Sequence, residues 1–141
     1  MKLIIYTDGG ARGNPGPAGL GVYITDEEGT VVKEHSRYLG AQTNNYAEYM
    51  AIVDALTHAK ELGADEVDMR MDSELAVRQL NGIYKVRNQA LGLLFVQVHN
   101  LRLAFRKVTF THVRREKNKQ ADRLVNEAID KHIGSGLGVS K

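Results

Sequence analysis

In Met1-Lys-Leu-Ile-Ile-Tyr-Thr-Asp-Gly-Gly-Ala-Arg-Gly-Asn-Pro-Gly-Pro-Ala18 a short apolar run breaks off on an acid and passes into a glycine- and proline-rich segment. Lys2 to Thr7 has the β-forming residues and the length of a strand, and the cluster from Gly9 to Pro17 predicts a loop at its end. A second strand is expected from Ala18 to Thr25. A loop with four glycines lets a polymer lie close against the backbone, because no Cβ blocks its approach. Asp8 would stand at that open edge, either as a turn residue bonded to its own backbone or as a functional acid.

The rest of the chain answers this stretch in order. Residues 30 to 39 form a third β-rich run, separated from the second by the turn-like Asp26-Glu-Glu-Gly29. The period then changes: Ala47, Ala51, Ala55 and Ala59 with Ile52, Leu56 and Leu62 make one apolar stripe, predicting a helix from Thr43 to Leu62 that stops at Gly63. A strand over Glu66 to Met71 ends at Asp72, and a short helix is expected from Ser73 to Leu80, closed by Asn81-Gly82. A longer helix follows over Leu91 to Phe105, a strand over Lys107 to His112, and a last helix over Gln120 to Ile133, capped by Gly134. Residues 134 to 141 are expected to be a flexible tail.

The order βββαβα(α)βα places three antiparallel strands ahead of alternating strands and helices. A five-stranded mixed sheet flanked by helices, in the α/β class, is the economical fold. Sites in such sheets collect at strand ends and helix starts. With 141 residues, one domain can bury roughly two thirds of its unfolded surface. Cysteine is absent, so a metal would have to sit on oxygen or imidazole, and hard cations such as Mg²⁺ suit that best. Met1 to Ile5 is far short of a signal or membrane segment, and a cytoplasmic monomer is expected. The net charge of +2 conceals an uneven distribution: ten Lys and Arg against two acids between Tyr84 and Arg123. That asymmetry points to a side facing a polyanion, or else to a solvated surface balancing the acidic middle of the chain.

Four carboxylates fall at element ends: Asp8, Glu48, Asp72 and Asp122. Each has an ordinary reading. Glu48 could complete a capping box with Asn45, Asp72 could cap the helix after it, and Asp122 could sit favourably on a helix dipole. Those readings do not explain why all four can meet on one side of a sheet. Converging carboxylates repel one another unless divalent cations neutralise them, which makes a metal site the physical alternative.

Tyr6-Thr-Asp-Gly-Gly10, Gly13-Asn-Pro-Gly-Pro17, Thr43-Asn-Asn-Tyr-Ala-Glu48, Met71-Asp-Ser73 and Asn118-Lys-Gln-Ala-Asp122 occur in this order, and together they resemble the type 1 ribonuclease H pattern across nearly residues 1 to 133. The resemblance implies a ribonuclease H domain over 1–133. It also implies an endonuclease that cuts the RNA strand of RNA/DNA hybrids with two Mg²⁺, Mn²⁺ being the substitute, held by Asp8, Glu48, Asp72 and Asp122. Two such ions activate water and stabilise the departing 3′ oxygen, so no protein nucleophile is needed.

The resemblance further implies contacts to the hybrid from Gly9, Gly10, Asn14, Asn44, Asn45 and Glu74, and a phosphate pocket for the DNA strand at Thr43 and Asn88. Asn14, Asn44 and Asn45 also read as loop and cap residues. Double-stranded RNA stays open as a second substrate, and a ribonuclease H-like module that binds without cutting is the alternative function. Three departures from the family stand out. Ala41 takes the place of a common Arg, the long basic protrusion is missing between Leu80 and Leu91, and the loop Val113 to Asn118 has no His. Arg115 is favoured over Glu116 as the residue assisting product release there.

Overall fold

The structure, a computed structural model, describes residues 1–137. Five strands form one sheet in the order β3-β2-β1-β4-β5: β1 Lys2–Ala11, β2 Gly16–Thr25, β3 Val31–Gln42, β4 Glu66–Met71 and β5 Lys107–His112. The first three strands run antiparallel, while β4 joins β1 in parallel and β5 joins β4 in parallel. The mixed sheet is therefore as expected. The chain leaves β1 by a hairpin and reaches β4 only through a helix, as a parallel neighbour requires.

Four α-helices occur among the described residues, α1 Asn44–Glu61, α2 Glu74–Leu80, α3 Gln89–Arg102 and α4 Lys119–Leu137, and a short 3-10 turn spans Arg115–Lys117. The alanine stripe of α1 is fully buried, and Tyr49, Ile52 and Leu56 beside it share one core with Leu3, Ile5, Val67 and Met69 of the sheet. Small residues four apart let this helix lie close to the strands. Leu91, Leu94 and Val98 of α3 belong to the same core. Ala121, Leu124, Val125, Ala128 and Ile129 of α4 are buried, and the helix crosses β2 at Gly19 and Gly21. None of the helices among the described residues is long and apolar enough to cross a membrane.

Four expectations need correction. The first strand does not end at Thr7: Gly9, Gly10 and Ala11 pair with Leu20, Gly19 and Ala18, so Asp8 lies inside β1. The third helix begins at Gln89 and ends at Arg102, because Asn88 caps it by accepting from Leu91 N at 3.1 Å. The last helix passes through Gly134 to Leu137, so Gly134 is no terminator, and residues 138–141 of the expected tail lie outside the described residues. The capping readings of two acids also fall. Thr43, not Asn45, caps α1, and Ser73, not Asp72, caps α2. Glu48 and Asp72 are thus released from local duties.

Candidate active site

Two glycines let the helices carry acids up to β1. A Cβ at Gly9 would lie 2.2 Å from the carbonyl carbon and oxygen of Ala47, closer than atoms can pack. Gly9 therefore permits α1 to lie against the strand, and Glu48, the next residue of the helix, arrives beside Asp8. Gly21 stands opposite Asp8 across the ladder, and its Cβ would be 2.3 Å from the Ala121 carbonyl oxygen. This brings the first turn of α4, and Asp122 with it, onto the same region.

The parallel pairing supplies the remaining acid. Thr7 and Met71 are the last register partners of β1 and β4, so Asp8, inside β1, and Asp72, just past the end of β4, follow side by side, about 4.8 Å apart by strand spacing. One carboxylate oxygen from each of Asp8, Glu48 and Asp72 lies within 4.8 Å of the others. Asp8 is buried, Glu48 and Asp72 are half-buried and Asp122 is exposed on the rim of the same cleft. Gly9 N donates to Asp8 Oδ1 at 3.0 Å, the local bond anticipated for a turn, here made within a strand.

Crowding sets the protonation state. Burial first, then the charges of Asp72 and Asp122, push the Asp8 carboxyl up to about 8. Burial, with Asp8 and Asp72, holds Glu48 well above the usual carboxylate range, and only the positive charge of Arg115 works against this. An all-oxygen cluster in which Asp8 and Glu48 cling to protons is deficient in positive charge. That donor set fits hard divalent cations, which bind carboxylates and displace the protons.

Asn118, quoted above only as part of a motif, ties the cluster together. Its side chain is 1% exposed, and Nδ2 donates to Thr7 O at 2.9 Å and reaches Asp72 Oδ2 at 3.4 Å. Its own carbonyl accepts from Asp122 N at 3.1 Å. One residue therefore touches the strand ahead of Asp8, the side chain of Asp72 and the backbone of Asp122.

The other expected residues divide between two clefts. Gly9, Gly10, Asn44 and Arg115 line the acidic cleft, of about 340 Å³. Asn14, Thr43, Asn45 and Asn88 line a neighbouring one of about 370 Å³. Asn44 joins the two regions: its Oδ1 accepts from Ala11 N at 2.8 Å, and its N donates to Asn14 Oδ1 at 3.0 Å. Glu74 lines neither cleft and is held by Arg78 at 2.7 Å. Glu116 turns to a different cavity with Tyr6 and Tyr23, and His112 is exposed. Arg12 and Asn126 line the acidic cleft without having been anticipated. Nothing in the local sequence distinguishes them from ordinary surface residues.

A sheet of this order, with acids gathered on β1 beside the end of β4, defines the ribonuclease H-like class. The profile of the Reverse transcriptase-like family matches residues 6–128. A bifunctional protein of Mycobacterium tuberculosis is 44% identical over 131 residues, covering 92% of this chain and 36% of the relative. A Ribonuclease H of Prosthecochloris aestuarii is 36% identical over 146 residues, covering 91% of this chain and 95% of the relative. The solved structure of LC11-RNase H1 in complex with RNA/DNA hybrid has a TM-score of 0.89 and 51% identity, with 93% of this chain and 99% of that one covered. The chain belongs to the ribonuclease H family. It spans little more than a third of the length of the mycobacterial relative.

Proposed function

We propose that this protein hydrolyses the RNA strand of RNA/DNA hybrids at internal positions, leaving 5′-phosphate and 3′-hydroxyl ends. The observation that carries this reading is the approach of Asp8, Glu48 and Asp72 to within 4.8 Å, with Asp122 on the rim of the same cleft. These four residues would hold two Mg²⁺, or Mn²⁺ in their place. When bound, the cations supply an activated water and stabilise the leaving 3′ oxygen.

The chain's own residues do the remainder. Asp8 and Glu48 give up protons as the cations arrive, and Asn118 keeps the Asp72 carboxylate oriented. Gly9 and Gly10 offer bare backbone to the strand being cut, where the 2′-OH distinguishes RNA from DNA. Thr43 and Asn88, in the neighbouring cleft, take a phosphate of the uncut DNA strand. Arg115 faces the acids and partly offsets their charge at Glu48. A guanidinium there can draw the cleaved phosphate away from the cluster.

Labelled hybrid, duplex RNA and duplex DNA, each with and without Mg²⁺ or Mn²⁺, test the proposal. Internal cuts in the RNA of the hybrid are expected only with metal. Asp8→Asn and Asp72→Asn should each lower turnover on the order of 10³-fold or more, the scale seen when one member of a catalytic unit is lost. Metal-free binding of hybrid should survive both changes. Hybrid binding without cutting at any metal concentration would show a non-cleaving module instead, and 2′,3′-cyclic phosphate ends would exclude attack by water.

A further inference from the structure

The acidic cleft extends past the acids along the surface of α4, and its far end carries a second arginine. Arg12 follows β1 directly, and its backbone N donates to Pro17 O at 2.9 Å, closing the hairpin to β2. Its guanidinium crosses to α4, where Nη2 donates to Asn126 Oδ1 at 3.0 Å and Nη1 pairs with Asp130 Oδ1 at 2.6 Å. Asn126 in turn donates from Nδ2 to the carbonyl of Asp122 at 3.1 Å.

Asp122, Asn126 and Asp130 recur every fourth residue and so share one face of α4. A rise of 1.5 Å per residue sets Asn126 about 6 Å along the helix from Asp122, the scale of one nucleotide step. Arg12 and Arg115 are the cations lining this cleft among the described residues, and Arg115 lies with the acids.

We propose that Arg12 binds the backbone phosphate next to the scissile one on the RNA strand, and that Asp130 holds its guanidinium in place while the cleft is empty. This rests on the hydrolysis of hybrids proposed above. The strand concerned is the one being cut, because Arg12 and the acids line one continuous cleft, whereas Thr43 and Asn88 belong to another. Planar guanidinium and phosphate match as a bidentate pair. The Arg12–Asp130 pair is exposed, with side chains 40% and 65% accessible, so exchanging Asp130 for a phosphate costs little. Asn126 can keep its bond to Nη2 during that exchange, so the arginine stays aimed.

A purely structural arginine, stapling the hairpin to α4, makes different predictions. The test compares wild type, Arg12→Ala, Arg12→Lys and Asp130→Asn in steady-state cleavage of hybrid and in metal-free binding over a salt series. Arg12→Ala is expected to raise KM about tenfold with kcat within about twofold, and to reduce the salt slope of binding by about one. Lys should restore the slope but only part of the affinity, since it keeps the charge without the fork. Asp130→Asn should lower KM, because the competing carboxylate is gone.

A hybrid with one uncharged methylphosphonate, set in turn on each side of the cleaved linkage, completes the comparison. On one side it should weaken wild type and leave Arg12→Ala unchanged. Asp130→Asn behaving like Arg12→Ala, or an unaltered salt slope in Arg12→Ala, would overturn the assignment in favour of the staple. A wild type that leaves hybrid uncut would overturn the functional reading itself, and the Arg12 subsite with it.

Discussion

Asp8 lies directly opposite Gly21 across the β1–β2 ladder, and a Cβ on Gly21 would meet the Ala121 carbonyl oxygen at 2.3 Å and Leu124 Cβ at 2.8 Å. The acid and the helix that brings Asp122 to it share one point of contact. Gly21→Ala must push α4 outward, and the overpacking is expected to cost about 1–3 kcal/mol. It should also weaken metal-dependent cleavage. Gly92→Ala in α3, whose Cβ would have nothing within 4 Å, should instead raise stability by about 0.5–1 kcal/mol. Denaturant melts of both variants check the pair, and a Gly21→Ala protein as stable as wild type would refute the packing account.

Metal-free protein should lose stability as pH rises. Burial, reinforced by Asp72 and Asp122, raises Asp8 from 3.8 to about 8. The folded chain therefore keeps a proton that the unfolded chain releases near its ordinary value. Stability present at the acid end of that interval is lost progressively up to about pH 8. Glu48 shifts in the same direction. Melting temperatures without metal should fall across this window, Asp8→Asn should flatten the dependence, and Mg²⁺ should bind more tightly as pH rises. A metal-free melting temperature that climbs over the same window would contradict the assignment.

The cleft at Asn88 can be probed without disturbing its helix. Aspartate caps a helix as well as asparagine does, so Asn88→Asp should leave the melting temperature nearly unchanged. A negative charge where a phosphate is to bind should nevertheless raise KM about tenfold, equivalent to ~1.4 kcal/mol. Thr43→Ala differs, because it also removes the α1 cap and costs about 1 kcal/mol of stability. An unchanged KM in Asn88→Asp would exclude this cleft from substrate binding.

Arg115→Ala should lower kcat several-fold with little effect on KM. If the lost step is release of the cleaved strand, single-turnover rates will match wild type. Glu116→Ala should do much less, since Glu116 lines a cavity away from the acids. Equal steady-state kcat in all three proteins would remove this loop from the reaction.

Periodicity and punctuation made much of this architecture readable. β4 and β5 have the expected bounds, and α1 differs only at its two ends, because its alanine stripe and Gly63 are unambiguous local signals. The Gly9-Gly10 pair misled for a physical reason. Glycine ordinarily weakens a strand, but here α1 lies against Gly9 where a side chain would collide, a fact of packing rather than of local preference. That Asp8, Glu48, Asp72 and Asp122 would share one cleft was legible through their places at element ends and the family resemblance. The positions of Arg12, Asn118 and Asn126 around this cleft were not, because each depends on a partner far away in sequence.

Asn118 reaches Thr7 across 111 residues, so the order of synthesis matters. Asp8, Glu48 and Asp72 all leave the ribosome before the residue that ties β1, Asp72 and α4 together. A nascent chain that has already made three of the acids lacks both the fastener and the fourth. Closing so long a span is also an inherently slow event in folding. The cleft proposed for hydrolysis is thereby complete only once the last helix is made, and a prematurely ended chain carries three of the acids without Asn118 and Asp122.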